Sequence, residues 1–203
     1  MKEYIYDEEK YGGKGLQQLI NLYETYDYEL FNQPPDKLEE IENILIQIID
    51  EYPQFLTAYQ ELYSLYEEQE RFAEQDLITF RGYAIAKSLV IKNGKFPEEM
   101  HWMFQENRPV IRFLYLGAEM QWVLGNVEEA KYIFEGLLNS NPYDNIGARF
   151  VLLAINEEMS ADEFDDKFQD GELFEEQMKW FDKKAPKHKI FNKFFDMLKT
   201  MEE

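Results

Sequence analysis

The chain has no cysteine and only two histidines, His101 and His188. Without cysteine there is no disulfide framework and no thiolate-bound zinc. The histidines lie far apart and form neither H-x-x-x-H nor H-E-x-x-H, so the common helical zinc centre is excluded. Basic residues are scarce: 21 Lys and Arg stand against 41 Asp and Glu, a net charge of -20. Such a chain repels nucleic acid and anionic membrane surfaces and favours basic partners. Long apolar runs are missing too. No window approaches the ~20 residues of a membrane span, and MKEYIYDEEKYGGKG lacks the apolar stretch of a secretory signal. The protein is therefore read as cytoplasmic. No segment alternates convincingly as a strand, and no serine or cysteine nucleophile sits in a strand–turn–helix context. Gly12-Gly13-Lys14-Gly15 does not have the spacing of a phosphate loop, and around Gly171 the residue Phe168 stands where a calcium loop needs an oxygen ligand. No catalysis, no cofactor and no metal is expected.

Apolar and aromatic residues are plentiful, at 45% and 16% of the chain, enough to exclude wholesale disorder. Their spacing is helical, and it is clearest in residues 106–149. Gly125-Asn126 is turn chemistry, and Asn126 is expected to cap the helix that follows. Val127, Ala130, Phe134, Leu137 and Leu138 recur at three- and four-residue steps, which places them on one helical face. Pro142 ends that helix, and Asp144 or Asn145 is positioned to cap the next. The preceding helix opens at Asn107-Arg108-Pro109, where proline is tolerated, and presents Ile111, Leu114 and Ala118.

Gly125, Ala130, Phe134 and Pro142, with Leu114 and Ala118 before them, resemble a tetratricopeptide repeat (TPR), a family that repeats helix–turn–helix every ~34 residues. Gln121 stands where that pattern has an aromatic, and Gly117 where it has a large aliphatic. The segments ENRPxxR (residues 106–112) and NPxDNxGxR (residues 141–149) also look like a set of uncharacterised bacterial TPR-like proteins, a likeness that implies no activity.

The remaining chain reads as more of the same. Residues 1–13 are expected to be a loose lead-in. Leu16, Leu19, Ile20, Tyr23, Tyr26 and Leu30 form a stripe up to the break at Pro34-Pro35. Asp36 is expected to cap a helix with Leu38, Ile41, Leu45, Ile48 and Tyr52 inward. Tyr59, Leu62 and Tyr66 mark the next helix. Its partner over residues 71–91 is expected to turn Phe72, Leu77, Phe80, Ala84 and Leu89 inward and to stop at Asn93-Gly94. After Pro142 come a helix with Phe150, Val151, Ala154 and Ile155, one capped by Ser160 with Ala161, Phe164 and Phe168 inward, a break at Gly171, and a helix over 172–182. A last helix from Pro186 carries Ile190, Phe191, Phe194, Phe195 and Leu198 among lysines, and is read as the terminal cap. The fold class is all-α, a TPR-like array of antiparallel helical hairpins with about nine or ten helices. A single domain is expected over 1–203, with sub-lobes 14–94 and 106–203 joined by 95–105.

Function follows by implication from the repeat. The concave face of a TPR array binds peptides through set helix positions. Matched by position, these are Arg112, Tyr115, Glu119 and Trp122, then Ile146, Arg149, Leu153 and Asn156. The expected function is a protein–protein interaction module that holds a peptide or protein segment, with Arg112 and Arg149 as carboxylate-gripping anchors. The alternatives are an anion pocket built by Arg108, Arg112 and Arg149, and a self-associating structural protein. The blander reading pairs Arg112 with Glu106 or Glu119, and Arg149 with Asp144.

Overall fold

A computed structural model of the chain describes residues 3–168 and 173–201. Among these residues there are ten α-helices, three short 3-10 turns and no strand, only two isolated bridges. The helices are α1 (Glu8–Thr25), α2 (Pro35–Glu51), α3 (Leu56–Glu68), α4 (Phe72–Val90), α5 (Arg108–Val123), α6 (Val127–Ser140), α7 (Ala148–Asn156), α8 (Ala161–Phe168), α9 (Leu173–Lys184) and α10 (Asn192–Met201). The all-α expectation and its helix number hold. Among the described residues no helix is long and apolar enough to cross a membrane. The break assigned to Gly171 lies outside the described residues.

The chain divides into two units. An N-terminal unit comprises Ile5–Val90 and Gln105–Phe113, and a C-terminal unit comprises the described parts of Met1–Tyr4, Ile91–Phe104 and Leu114–Glu203. In the N-terminal unit α1 packs on α2, α2 on α3 and α3 on α4. Leu19, Ile41, Leu45, Tyr59 and Leu62 fill the core between them. The lead-in is not loose. Tyr6 is 1% exposed, and its hydroxyl donates to the Gln54 carbonyl (2.7 Å) while accepting the first N–H of α3, at Leu56 (2.9 Å). Its own N–H donates to Asn107 Oδ1 (2.9 Å). The tyrosine thus stands in for the cap side chain that α3 lacks. Asp7 caps α1 by accepting from the Lys10 N–H, so the helix begins eight residues before the stripe that announces it. The glycines there serve close approach. A Cβ at Gly12 would lie 3.0 Å from the Phe55 ring, and one at Gly15 would lie 2.8 Å from Tyr52.

Five face and cap assignments are corrected. On α4 the buried side is Ile78, Thr79, Gly82, Tyr83, Ala86, Leu89 and Val90, and Phe72, Leu77, Phe80 and Ala84 point to solvent. The helix is apolar on both sides, so periodicity alone could not choose between them. On α6 Val127 is exposed and Ile133 takes a place in the core. On α10 Leu198 is exposed, and the helix starts at Asn192 after 3-10 turns at Ala185–Lys187 and Lys189–Phe191. Asn126 is the N-cap residue of α6, but its side chain makes no capping bond; its amide donates to Gln121 Oε1 (2.8 Å) instead. Neither does Asp36 cap α2, whose N-cap is Pro34 with Pro35 in the first turn. Gly125, at φ +79°, forms the bend between α5 and α6. Ser160 caps α8 reciprocally with Glu163, whose N–H it meets while its own N–H reaches the carboxylate.

In the C-terminal unit α6 packs on α7 and α10, and α9 on α7 and α8. Phe134, Leu137, Leu152, Leu153, Phe181 and Phe191 are among its buried side chains. Gly136 admits the Phe96 ring, which a Cβ would meet at 2.1 Å.

Candidate functional site

The NPxDNxGxR segment builds the turn between α6 and α7, and its residues bond mainly to each other and to the segment before α5. Asn141 accepts from the Trp102 N–H at Oδ1 (3.2 Å). Asp144, in the left-handed region at φ +48°, donates its N–H to the Asn141 carbonyl, and its own carbonyl accepts from Gly147. Gly147, at φ +79°, is the N-cap residue of α7 and has no side chain to offer the helix. Asp144 supplies the carboxylate in its place: Oδ2 accepts the Arg149 N–H (3.1 Å). The same oxygen is 2.7 Å from Arg149 Nη1, which also donates to the Asp144 carbonyl (3.3 Å). Both side chains are enclosed, at 1% and 11% exposure. The guanidinium carbon lies 4.2 Å from the Phe150 ring centre, 5.4 Å from Phe194 and 5.8 Å from Phe181, a cation held by aromatic faces. Burial pushes the Asp144 carboxyl up to about 6, and Arg149 opposes the rise. At neutral pH the pair is charged and internally compensated.

Beside this turn lies an open cavity of about 500 Å³. Its apolar walls are Tyr143, Ile146, Phe150, Val151, Phe164 and Phe174, and Tyr115, Asp144, Asn145, Arg149 and Gln177 are its polar members. Phe174 is 66% exposed and Tyr143 50%, so the rim carries two aromatic rings facing water. Behind Tyr115 sits Glu119, one helical turn along α5 and on the same face. Burial pushes the Glu119 carboxyl up to about 7; the hydrogen bond from Tyr115 lowers it, and Asp165 of α8 raises it further. The Tyr115 hydroxyl is itself pushed well above its ordinary value by burial and by the Glu119 charge. Tyr115 also stands edge-on to Phe134 (5.5 Å), which ties the site to the core of the unit.

Of the eight residues expected to line a groove, Ile146 is on the cavity wall and Leu153 is buried; the other six are placed as follows. Tyr115 lines the cavity, and Glu119, bonded to Tyr115, is not part of its lining. Arg149 is on its wall, engaged by Asp144. Trp122 is buried, with its ring 5.8 Å from Phe164 in an aromatic cluster that includes Phe168 and Trp180. Asn156 bonds back to the Leu152 carbonyl (2.7 Å). Arg112 belongs to the N-terminal unit. There its charge lowers the pKa of Glu61, which burial raises and which is bonded to Tyr23. Arg112 and Arg149 thus have carboxylates within their own units.

Sequence reasoning missed the cavity's outer wall. Phe174 and Tyr143 carry no periodic signal, because one lies near the start of α9 and the other in a turn. It also missed a grouping of Glu3, Glu99 and His101, whose ligand atoms lie within 4.8 Å of one another. The bridge between Glu3 and Glu99, with the Tyr4 N–H on the Glu99 carbonyl (2.8 Å), creates it. Two of the three residues are exposed acids, a common surface arrangement. The chain matches no protein-family profile, no curated protein and no solved structure.

Proposed function

We propose that the protein is a docking module of TPR-like helical hairpins, which binds a peptide segment without transforming it. The occupant sits in the cavity beside the α6–α7 turn. The observation that carries this reading is the chemistry of that cavity: aromatic walls, two aromatic rings on the rim, and a single basic group that is already neutralised. Its volume of about 500 Å³ suits one or two large apolar side chains. A chain of net charge -20 favours lysine or arginine next to the anchor. The segment recognised is thus apolar and basic.

The reading as an anion pocket has less support. Two hydrogen bonds to Asp144 hold one end of the Arg149 guanidinium, and three rings surround it. An incoming carboxylate would have to displace a buried ion pair, at a cost of about 3–5 kcal/mol.

Fluorescence anisotropy with two sets of labelled peptides tests the proposal. One set places Phe or Leu beside two lysines, and the other places the same anchors beside two glutamates. Binding of the lysine set in the range of about 1–100 µM is expected, weakened about tenfold or more by Phe174→Ser combined with Tyr143→Ser. Equal binding of both sets, or affinity unchanged in the double variant, overturns it.

A further inference from the structure

The outer face of α4 is unusual for an exposed helix in so charged a chain. Phe72, Leu77 and Phe80 are 61%, 59% and 53% exposed, and Ala73 and Ala84 are exposed between and beyond them. Ala73, Leu77, Phe80 and Ala84 follow four-, three- and four-residue steps, so they form one straight stripe. The opposite side of the helix is already spent on the core of the N-terminal unit. We propose that this stripe is covered by the same stripe of a second copy, the two α4 helices crossing antiparallel about a two-fold axis between Ile78 and Thr79.

Two features select a second copy as the occupant. The first is that the stripe is its own complement. A two-fold axis at that point sets Leu77 against Phe80 of the second copy, twice, and Ala73 against Ala84 of the second copy, twice. Large residues meet at the centre and small ones at the ends. This is the isologous pattern of a two-fold interface. The second feature is charge. Glu74 and Arg81 lie on the same flank of the stripe, and the two-fold axis preserves the flank. Arg81 is therefore carried next to Glu74 of the second copy, offset by about 3 Å along the axis, and the reciprocal contact forms as well. Both groups are accessible: Arg81 is 40% exposed, with its nearest carboxylate, Asp50, at 3.6 Å, and Glu74 is 44% exposed beside Arg71. In a chain with twice as many acids as bases, such matching across the stripe is a selective feature.

Four apolar residues per copy cover less than the roughly 800 Å² per partner of a standard interface. The dimer is accordingly weak and reversible. The net charge of each copy opposes encounter at low ionic strength, so association strengthens as salt rises.

Sedimentation equilibrium from about 1 µM to about 1 mM protein tests the proposal. The wild type is expected to shift from monomer to dimer over that range. Leu77→Asp with Phe80→Asp, both at exposed positions and checked for fold by circular dichroism, is expected to remain monomeric. Arg81→Glu alone sets Glu against Glu, and Glu74→Arg alone sets Arg against Arg; each weakens dimerisation about tenfold. Mixing those two variants in equal amounts restores both ion pairs, and only in the mixed dimer, so the mixture recovers the wild-type affinity. Three results overturn the proposal: a wild type monomeric throughout, which assigns the stripe to some other molecule; an aspartate variant that dimerises like the wild type; or a mixture no tighter than either variant alone.

Discussion

Replacing Glu119 by glutamine removes one ionisable group and keeps the shape and the hydrogen bond with Tyr115. In the folded chain burial, with Asp165 adding to it, moves this carboxyl from 4.5 to about 7. Folding therefore favours its protonated form. Stability from this source is fully present below pH 4.5 and is lost as pH rises through 7, because the unfolded chain ionises first. Each tenfold change in proton affinity is worth 1.36 kcal/mol, so the whole effect is about 3 kcal/mol, of which about 2.5 kcal/mol falls between pH 5 and pH 8. Asp144 has the same sign, with its carboxyl raised to about 6, so wild type and variant share that part of the slope. The measurement is urea unfolding of both proteins at half-unit steps from pH 5 to pH 8. Wild type is expected to lose about 2.5 kcal/mol more than Glu119→Gln over that range. Parallel curves, with a difference under about 1 kcal/mol, would show that water reaches the carboxylate and would refute the buried arrangement with Tyr115.

Further outcomes follow from the packing. A Cβ at Gly82 would come within 2.4 Å of the Phe113 ring, which is 1% exposed and has nowhere to move. Gly82→Ala is expected to cost about 1–3 kcal/mol in chemical unfolding despite alanine's better helix propensity. Gly136→Ala meets Phe96 at a shorter 2.1 Å, yet Phe96 is half-buried and can swing outward, so its cost is the smaller of the two. Arg149→Ala leaves Asp144 buried without its counter-ion and is expected to cost about 3–5 kcal/mol at pH 8. The loss should shrink toward pH 5, where Asp144 takes up a proton. Tyr6→Phe removes the hydroxyl that joins the Gln54 carbonyl to the α3 N-terminus; a loss of about 2–3 kcal/mol is expected, with faster hydrogen exchange at Leu56.

The helices were legible because each has one feature that tertiary packing does not alter. Pro34-Pro35, Asn93-Gly94, Gly125 and Pro142 break the chain where they stand, whatever surrounds them. Faces were legible only where one side is clearly polar. The stripe of α2 is read correctly at Ile41, Leu45 and Ile48, whereas on α4, apolar on both sides, Leu89 is placed correctly and Phe72, Leu77, Phe80 and Ala84 are placed on the wrong side. Its true inner face includes Gly82 and Thr79, which carry no hydrophobic signal; Gly82 is inside because Phe113 requires the space of the missing Cβ. The lead-in was misread for a similar reason. Glycine there indicates freedom in the unfolded chain, but the folded chain uses Gly12 and Gly15 to seat Phe55 and Tyr52.

The same distinction separates the conspicuous motif residues from the site. Asn107, Asn141, Asp144 and Gly147 stand out in the sequence because uncommon turns need them, and the structure spends them on those turns. Asn107 holds Tyr6, Asn141 holds Trp102, and Asp144 caps α7 and fixes Arg149. A buried polar group must be bonded at folding, since leaving it bare costs about 1–3 kcal/mol, so such residues are consumed before a ligand arrives. Several exposed residues are apolar and unremarkable in sequence: Phe174 and Tyr143 at the cavity rim, Leu77 and Phe80 on α4. Exposed apolar surface has no partner inside the fold and so retains its free energy of burial, about 25 cal/mol per Å², for an encounter with another chain. Exposed apolar groups are therefore the ones that keep unrealised burial free energy, and the charged motif that first draws the eye is part of the frame of the C-terminal unit.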